Sequence, residues 1–129
     1  MIRQIKETCL YSLDLEKAET FYKDILELDL IGKKPGKHVF FKVGNDVLLL
    51  FNPDDSKVKT HLPGHYARGK QHIAFEVSNE DYHKIKSDLI SKGVEITHEE
   101  NWRGDILSFY FEDPDGHVLE VMNEGLWDY

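Results

Sequence analysis

Cysteine is almost absent from this chain. Cys9 is the only one among 129 residues, so no intramolecular disulfide can form. The opening stretch MIRQIKETCLYS has no apolar core of the kind found in secretory signals, and we therefore expect a reducing, cytoplasmic location. Long apolar runs are also lacking, because the longest one, VLLLF from Val47 to Phe51, is far too short to span a bilayer.

Positive charge is scarce as well. Lys and Arg total 16 against 24 Asp and Glu, which gives a formal net charge of -8 at pH 7. Phosphate backbones and anionic membranes attract clustered Lys and Arg, and the lysines here are scattered, so we expect neither a nucleic-acid partner nor a membrane partner. The rest of the composition, with 40% hydrophobic and 31% charged residues, is typical of one ordinary globular domain.

The first half of the chain predicts a strand, a helix and a hairpin. IKETCLYSL has the alternation of a strand, and DLEKAETFYKDILEL has one apolar stripe at helical spacing, with Asp14 as its N-cap. KHVFFKV and DVLLLFN follow as two strands around the turn signal Gly44-Asn45. Residues 53 to 70 have no periodicity and are rich in turn-forming residues, which indicates a long loop, either a linker or a lid.

The second half repeats this order. QHIAFEVS predicts a strand, and NEDYHKIKSDLISKG predicts a helix with Asn79 as its N-cap and Gly93 just past its end. VEITHEE predicts another strand, and GDILSFYFEDPDGHVLEVMN predicts two strands around the turn DPDG. The order strand, helix and strands therefore occurs in both halves, and assigning strand, helix and three strands to each half predicts an α+β fold of two βαβββ modules.

The predicted modules span residues 1 to 52 and residues 71 to 123, joined by the loop 53 to 70 and followed by a tail, 124 to 129, within one domain. Their sequences are only weakly similar, so the repeat rests on the order of elements. Each module alone is too small to bury its sheet. We therefore expect the two to pack together or to exchange with a partner chain.

Polar side chains interrupt three of these strands. When VLLLFN is set beside VLEVMN, Leu49 falls opposite Glu120, a carboxylate flanked by apolar neighbours. An unpaired buried carboxylate is costly, so Glu120 needs a cation, a hydrogen-bonding network or water. Glu7 and His72 are similar interruptions in the first strand of each module.

Three stretches of the chain resemble a known family. ETCLYSLDLEKAETFYKDILEL, QHIAFEVS and YFEDPDGHVLEV resemble the first strand and helix, the middle strand and the closing hairpin of the glyoxalase/bleomycin resistance protein/extradiol dioxygenase superfamily, also called vicinal oxygen chelate (VOC) proteins. The resemblance covers nearly the whole chain and includes the signatures DLxxAxxFY and FxDPDGxxxE. It implies two βαβββ modules whose mixed sheets curl around a cleft with a divalent metal on its floor.

The resemblance also implies a set of metal ligands. The matching positions are Glu7, His72 and Glu120, with Glu7 and Glu120 as the catalytic pair. One histidine with two carboxylates suits Mn, Ni, Zn or Mg at least as well as Fe, and the metal's identity stays open. Leu49 occupies the place where glyoxalase I would provide a fourth ligand, and Glu7 replaces the more usual His or Gln.

Each of these residues also has an ordinary structural interpretation. Glu120 fits a hydrogen-bonded structural carboxylate, His72 fits a histidine that bonds the backbone at the start of a strand, and Glu7 fits a surface ion pair. The predicted substrate-binding residues are Tyr11, His65, Trp102 and Arg103. The alternative for the last three is a solvated loop, and Arg103 has the strongest functional case, because a cation favours an oxyanionic substrate.

The resemblance implies a metal-dependent enzyme of the glyoxalase type, lyase-like or isomerase-like, that acts on a small oxygen-rich molecule. Alternatives are a metal-free binding protein that sequesters a drug-like compound, as bleomycin resistance proteins do, an extradiol-type dioxygenase, and a dimeric scaffold with a degenerate site. We expect a small-molecule substrate and a homodimer, since each module leaves sheet edges to cover.

Overall fold

The computed structural model describes residues 1 to 128 and divides them into two compact units, Met1–Gly69 and a second that begins at Lys70. Each unit contains one four-stranded mixed sheet, and the order of strands is the same in both. The predicted α+β fold of two βαβββ modules is confirmed.

The first unit contains seven elements, which in chain order are β1 (Glu7–Tyr11), α1 (Leu15–Thr20), a π-helical segment (Phe21–Ile25), β2 (Asp29–Lys34), β3 (His38–Val43), β4 (Asp46–Phe51) and α2 (Pro53–Ser56). The strand order in the sheet is β1-β4-β3-β2. β1 runs parallel to β4, and the other two pairs are antiparallel. The last strand of the module therefore lies in the interior of its sheet.

The second unit contains β5 (His72–Glu76), α3 (Tyr82–Ser91), β6 (His98–Arg103), β7 (Ile106–Glu112) and β8 (Val118–Met122). The strand order is β5-β8-β7-β6, with β5 parallel to β8 and the other pairs antiparallel. β8, which carries VLEVM, thus has a hydrogen-bonded neighbour on each side. No helix of residues 1 to 128 is both long and apolar enough to cross a membrane.

The first helix begins where the sequence predicts, and it changes from an α-helix to a π-helix before its expected end. The Asp14 carboxylate accepts a hydrogen bond from the Lys17 amide at 3.1 Å, which confirms the N-cap. After Thr20 the backbone widens into a π-helical segment, in which the Leu26 amide donates to the carbonyl of Phe21. Glu27 then takes a positive φ of 58° and ends the helical region.

The predicted N-cap of the second helix is wrong. Asn79 lies in the preceding turn, and α3 begins at Tyr82 with Asp81 in the N-cap position. The backbone between them is held by Ser78, whose hydroxyl accepts from the Asp81 amide at 3.2 Å. A local turn that satisfies backbone donors therefore delays the helix. Gly93, with a φ of 90°, follows the helix end as predicted.

Other boundaries differ in the edge strands and in the loop. β2 contains Gly32 and a register shift, features that hide a strand pattern, and its bounds were not predicted. β6 covers His98–Arg103 rather than VEITHEE, so Trp102 and Arg103 belong to a strand and not to a loop. The predicted loop opens with the short helix α2, whose N-cap Asn52 accepts from the Asp54 amide.

Each sheet buries one face against its own helix. In the first unit, Tyr22 packs on Phe41, with ring centroids 5.9 Å apart, and in the second unit Tyr82 packs edge-on against Phe109 at 5.5 Å. These four side chains are at most 3% exposed. Because side chains alternate along a strand, the neighbouring residues point to the opposite face, where the predicted functional residues Glu7, Tyr11, His72 and Glu120 lie.

Candidate metal and substrate site

Glu120 is a buried carboxylate in the middle of β8. Its side chain is 5% exposed, and its neighbours across the sheet are Ala74 of β5 and Tyr110 of β7. In the first unit the equivalent place on β4 holds Leu49, which lies opposite Cys9 and Phe40. The sequence alignment of VLLLFN with VLEVMN therefore matches the register of the two sheets, and only the second unit carries a charge there.

His72 faces this carboxylate across the sheet. Its Nε2 atom lies 3.4 Å from Oε1 of Glu120, and its Nδ1 atom lies 2.9 Å from the carbonyl oxygen of Val118. Since a carbonyl oxygen can only accept, Nδ1 carries the proton, and in the neutral ring Nε2 presents a lone pair towards Glu120. Two acceptors that face each other require a cation between them or beside them, either a proton or a metal ion.

One oxygen of Glu120 has no hydrogen-bond partner. Oε2 is fully buried, and no donor in residues 1 to 128 reaches it. Leaving a buried acceptor unsatisfied costs about 1–3 kcal/mol, and the cost is higher when the acceptor is charged. This atom therefore argues against the interpretation of Glu120 as a fully hydrogen-bonded structural residue, because such a network would have to satisfy both oxygens.

Tyr110 is a third member of this cluster. Burial raises the pKa of its phenol, a hydrogen bond from Ser108 lowers it, and the hydrogen bond and negative charge of Glu120 raise it. The Tyr110 ring also stacks on His72, with centroids 6.2 Å apart. Tyr110 therefore stays protonated and neutral. It was not predicted from sequence, although its place beside Glu120 follows from the DPDG hairpin once the turn is recognised.

The second unit supplies two donors of the kind that bind divalent cations, the imidazole of His72 and the carboxylate of Glu120. An imidazole whose remote nitrogen is tied to a backbone carbonyl is the usual arrangement of a metal-binding histidine, because the bond fixes both the tautomer and the ring. Here that imidazole lies beside a carboxylate with an unsatisfied buried oxygen. No group of three or more His, Cys, Asp and Glu side chains suited to a metal ion occurs in residues 1 to 128.

Glu7, the predicted third ligand, lies in the first unit. It opens β1 opposite Val47, as His72 opens β5 opposite Val118, so the two residues occupy equivalent positions in their sheets. Glu7 is exposed, and ligation by it stays a prediction. Burial, and then the charge of Glu7, raises the pKa of the Cys9 thiol, which agrees with the interpretation of Cys9 as an unreactive packing residue.

Tyr11 and His65 come together within the first unit. The Tyr11 hydroxyl lies 2.7 Å from Nδ1 of His65, and the His65 ring packs edge-on against Phe51 with centroids 4.6 Å apart. The loop that carries His65 is anchored to Ser56. The His65 amide donates to the carbonyl of Ser56, and the His65 carbonyl accepts from the Ser56 hydroxyl at 2.6 Å. Two of the predicted substrate-binding residues thus form one ordered pair.

Trp102 and Arg103 make separate contacts in the second unit. The Trp102 indole nitrogen donates to the Ser108 hydroxyl at 3.0 Å, and its ring is half exposed. Arg103 donates to the carbonyl oxygens of Gly125 and Leu126, at 3.1 and 3.0 Å. The guanidinium of Arg103 therefore ties the C-terminal segment to β6, and its role towards a substrate stays a prediction.

Comparison with known proteins decides the family. The model of the Glyoxalase/Bleomycin resistance protein/Dioxygenase superfamily matches residues 4–121. The chain belongs to this superfamily. The resemblance inferred from the DLxxAxxFY and FxDPDGxxxE signatures is thereby confirmed.

Several members of the superfamily are similar over most of their length. The crystal structure of a lactoylglutathione lyase from Agrobacterium tumefaciens superposes with a TM-score of 0.94 at 34% sequence identity, and the match covers 100% of this chain and 99% of that one. Glutathione transferase FosA of Serratia marcescens is 29% identical over 94% of this chain and 81% of its own. Metallothiol transferase FosB of Bacillus licheniformis is 28% identical over 89% and 71%.

Proposed function

We propose that this protein is a metal-dependent enzyme of the glyoxalase type, which acts on a small oxygen-rich molecule together with a thiol compound. The observation that carries the proposal is the buried, unsatisfied Oε2 atom of Glu120 beside a histidine of fixed tautomer. The thiol is inferred from the names of the relatives, which are a lactoylglutathione lyase, a glutathione transferase and a metallothiol transferase. The reaction is accordingly of the lyase or transferase class.

The proposed ligands are Glu120 and His72 of the second unit and Glu7 of the first. A divalent ion held by them would supply Lewis-acid stabilisation of negative charge on adjacent substrate oxygens. One nitrogen and two carboxylates leave Mn, Ni, Zn, Mg and Fe as candidates. An extradiol-type dioxygenase is less well supported, because its iron is typically held by two histidines and one carboxylate.

The chain's own residues have distinct tasks in this proposal. The carbonyl of Val118 orients His72, and Tyr110, which stays protonated, is a hydrogen-bond donor beside Glu120. Glu7 is the carboxylate that we assign as proton acceptor, since its exposure lets it reach a substrate. Tyr11 and His65 bind the substrate as a hydrogen-bonded pair, and Trp102 and Arg103 are proposed to assist them.

Thermal unfolding with added Mn, Ni, Zn or Mg tests the metal site. A ligand that binds only the folded state stabilises by about 2.7 kcal/mol at 100 times its dissociation constant, so Tm should rise in the unmutated protein. Glu120→Gln, His72→Ala and Glu7→Gln should each lose most of this increase. Glu76→Gln, in the same sheet at the far end of β5, is the matched control and should keep it. No metal response in the unmutated protein would contradict the proposal.

An activity assay tests the reaction class. Glutathione would be supplied with 2-oxopropanal, for which formation of S-lactoylglutathione is followed, and separately with other small electrophiles that carry adjacent oxygens, for which loss of free thiol is followed. We expect a metal-dependent rate that falls by at least about 100-fold in Glu120→Gln, since loss of a group that orients the reaction typically costs this much. A metal response without any turnover would instead favour a binding protein.

The second candidate is a metal-free protein that binds a small molecule, as an antibiotic resistance protein does. It is favoured by the aromatic surface around Phe51, which contacts Tyr11, His38, Phe40 and His65 at ring distances of 4.6 to 6.4 Å. Such a surface suits a flat ligand. Binding of a drug-like compound that is unaffected by metal or by Glu120→Gln would support this function.

A further inference from the structure

A pocket in the first unit concentrates positive charge. Its volume is about 410 Å³, and its titratable lining residues are Lys34, Lys37, His38, Asp55, Lys59 and His61. We call it the basic pocket. Its volume lies within the range of about 300–1,000 Å³ that is usual for small-molecule sites. All of its residues belong to the unit Met1–Gly69, and none of them is a proposed metal ligand.

The pocket is built on an ordered turn. The Lys37 amide donates to the carbonyl of Lys34 at 2.9 Å, and the Asn52 side chain donates to the carbonyl of Gly36 at 3.1 Å. The turn between β2 and β3 is thereby tied to the start of α2. Lys59, from the loop that follows α2, lies over the Phe51 ring, 5.1 Å from its centroid. The turn that carries Lys34 and Lys37 is therefore held by hydrogen bonds to its backbone, and the ammonium group of Lys59 is held over an aromatic ring.

The charge of the pocket opposes that of the whole chain. The protein has a formal net charge of -8, yet Asp55 is the only acidic residue in this lining, and it is paired with Lys37 at 3.0 Å. Within residues 1 to 128, Lys34 and Lys59 have no carboxylate partner. A local positive field in an acidic protein attracts an anion that the rest of the surface repels.

His38 lines the pocket, and its protonation is affected by this positive field. Its ring stacks on Phe40, with centroids 4.1 Å apart and planes within 7°. Burial lowers the pKa of His38. The positive charges of Lys59, Lys34 and Lys37 lower it further, and the negative charge of Asp55 raises it. A bound anion would relieve this repulsion.

Apolar side chains complete the wall. Val58 and Leu62 line the same pocket and are 66% and 60% exposed, respectively. Apolar side chains beside unpaired ammonium groups suit a ligand with an organic body and a charged head. An inorganic ion would leave these side chains in water.

We propose that the basic pocket binds a small organic phosphate monoester, with its phosphate among Lys34, Lys37 and Lys59 and its organic body against Val58 and Leu62. The cationic side chains of this lining are lysines and histidines, and lysine ammonium groups bind phosphate as point charges. A phosphate monoester concentrates a charge of about -1.5 to -2 on one head group, more than a single carboxylate carries, so it gains more from several converging ammonium groups. The lining of the basic pocket contains none of the proposed metal ligands.

The test is a metal-free titration with phenyl phosphate, followed by calorimetry and by the imidazole NMR signals of His38. We expect a dissociation constant at or below about 1 mM and an upward shift of the pKa of His38 on binding. Lys34→Gln and Lys59→Gln should each weaken binding about tenfold, which equals about 1.4 kcal/mol. The charge-matched control is Lys84→Gln, on the exposed surface of α3, which should bind as the unmutated protein does.

Three further ligands and variants make the outcome decisive. Inorganic phosphate should bind at least about tenfold more weakly than phenyl phosphate, and Leu62→Ser should remove that difference. Phthalate, a dicarboxylate on the same ring, should bind more weakly than phenyl phosphate. Phthalate binding that equals or exceeds that of phenyl phosphate, absence of saturation, or an affinity unchanged by Lys34→Gln and Lys59→Gln would overturn the proposal.

Discussion

His72 and Glu120 show how a single backbone contact prepares a side chain for chemistry. The carbonyl of Val118 accepts a hydrogen bond from Nδ1–H of His72, and this leaves the Nε2 lone pair facing the carboxylate of Glu120. The same sheet position in the first unit holds Glu7, which has no imidazole tautomer to fix. The two sheets therefore have equivalent strand order and pairing but differ in chemistry on two pairs of strands, β1 against β5 and β4 against β8.

A first prediction at the scale of one residue concerns His38 and pH. Its folded-state pKa lies below its ordinary value of 6.5, so the unfolded chain binds more protons between the two values. The contribution of His38 to stability is therefore fully present above about pH 6.5 and is lost as the pH falls towards the lowered value. His38→Gln should reduce the loss of unfolding free energy between about pH 7.5 and about pH 5, as measured with urea.

Other histidines also titrate in this range, so the quantity to compare is the difference in pH dependence between the two proteins. Identical pH dependence in the unmutated protein and in His38→Gln would show that neither burial nor the lysines around His38 lower its pKa.

At the scale of elements, the turn DPDG is a preformed connection between β7 and β8. The Asp113 carboxylate accepts from the amides of Asp115 and His117, both at 2.9 Å, and is itself buried. His117 in turn accepts from the Gln71 amide at 3.0 Å, just before β5. One aspartate thus sets the start of β8 and, through it, the position of Glu120.

We predict that Asp113→Ala destabilises the fold by about 1–3 kcal/mol, because it leaves the buried amide of His117 and the partly buried amide of Asp115 without this acceptor. The matched control is Asp46→Ala, in the corresponding hairpin of the first unit, where the carboxylate accepts an exposed hydrogen bond from the Gln4 side chain. That change should cost less than about 0.5 kcal/mol. Equal effects in urea unfolding would mean that the turn is held by its backbone alone.

Gly64 makes a second prediction at this scale. A Cβ atom at this position would lie 2.5 Å from the backbone carbonyl oxygen of Lys57, so the loop between α2 and His65 closes only with glycine. We expect Gly64→Ala to destabilise the protein by about 1–3 kcal/mol and to weaken substrate binding by displacing His65. In Gly69→Ala the new atom meets nothing within 4 Å, and only the positive φ of 91° costs energy, about 1 kcal/mol.

The two alanine variants separate steric closure of the loop from backbone strain. If Gly69→Ala disturbs the Tyr11–His65 pair as much as Gly64→Ala does, measured by the NMR signals of His65, contact with Lys57 is not what shapes the loop.

At the scale of the whole molecule, the unpaired edges of the two sheets favour association with another chain. Each sheet has two edge strands, β1 and β2 in the first and β5 and β6 in the second. Open edges favour pairing or covering by another chain. On this basis we predict a homodimer with two equivalent sites.

Light scattering at micromolar concentration checks this prediction. A mass near twice 15.1 kDa is expected, and the mass should not depend on metal. A monomeric mass across the concentration range would refute the dimer.

The sequence by itself determined the βαβββ order of each module, the Asp14 cap, the DPDG turn and the unusual position of the Glu120 carboxylate among apolar neighbours. These features depend on neighbours within a few residues: Asp14 caps the amide three residues on, DPDG closes on itself, and the alternation of VLEVM places a carboxylate on one face. The prediction of Asn79 as N-cap was wrong, also for a local reason. Ser78 forms a turn that competes with the helix start at Asn79, and residue propensities do not tell which of the two forms.

Only the tertiary structure decided what surrounds those residues. The bond from His72 to Val118 joins positions 46 residues apart, and the Tyr11–His65 pair joins positions 54 apart. The basic pocket likewise collects lysines that are scattered in the sequence. Such contacts depend on strand order and register, which arise from packing of the whole sheet, so no local pattern encodes the unsatisfied oxygen of Glu120 or the field at His38.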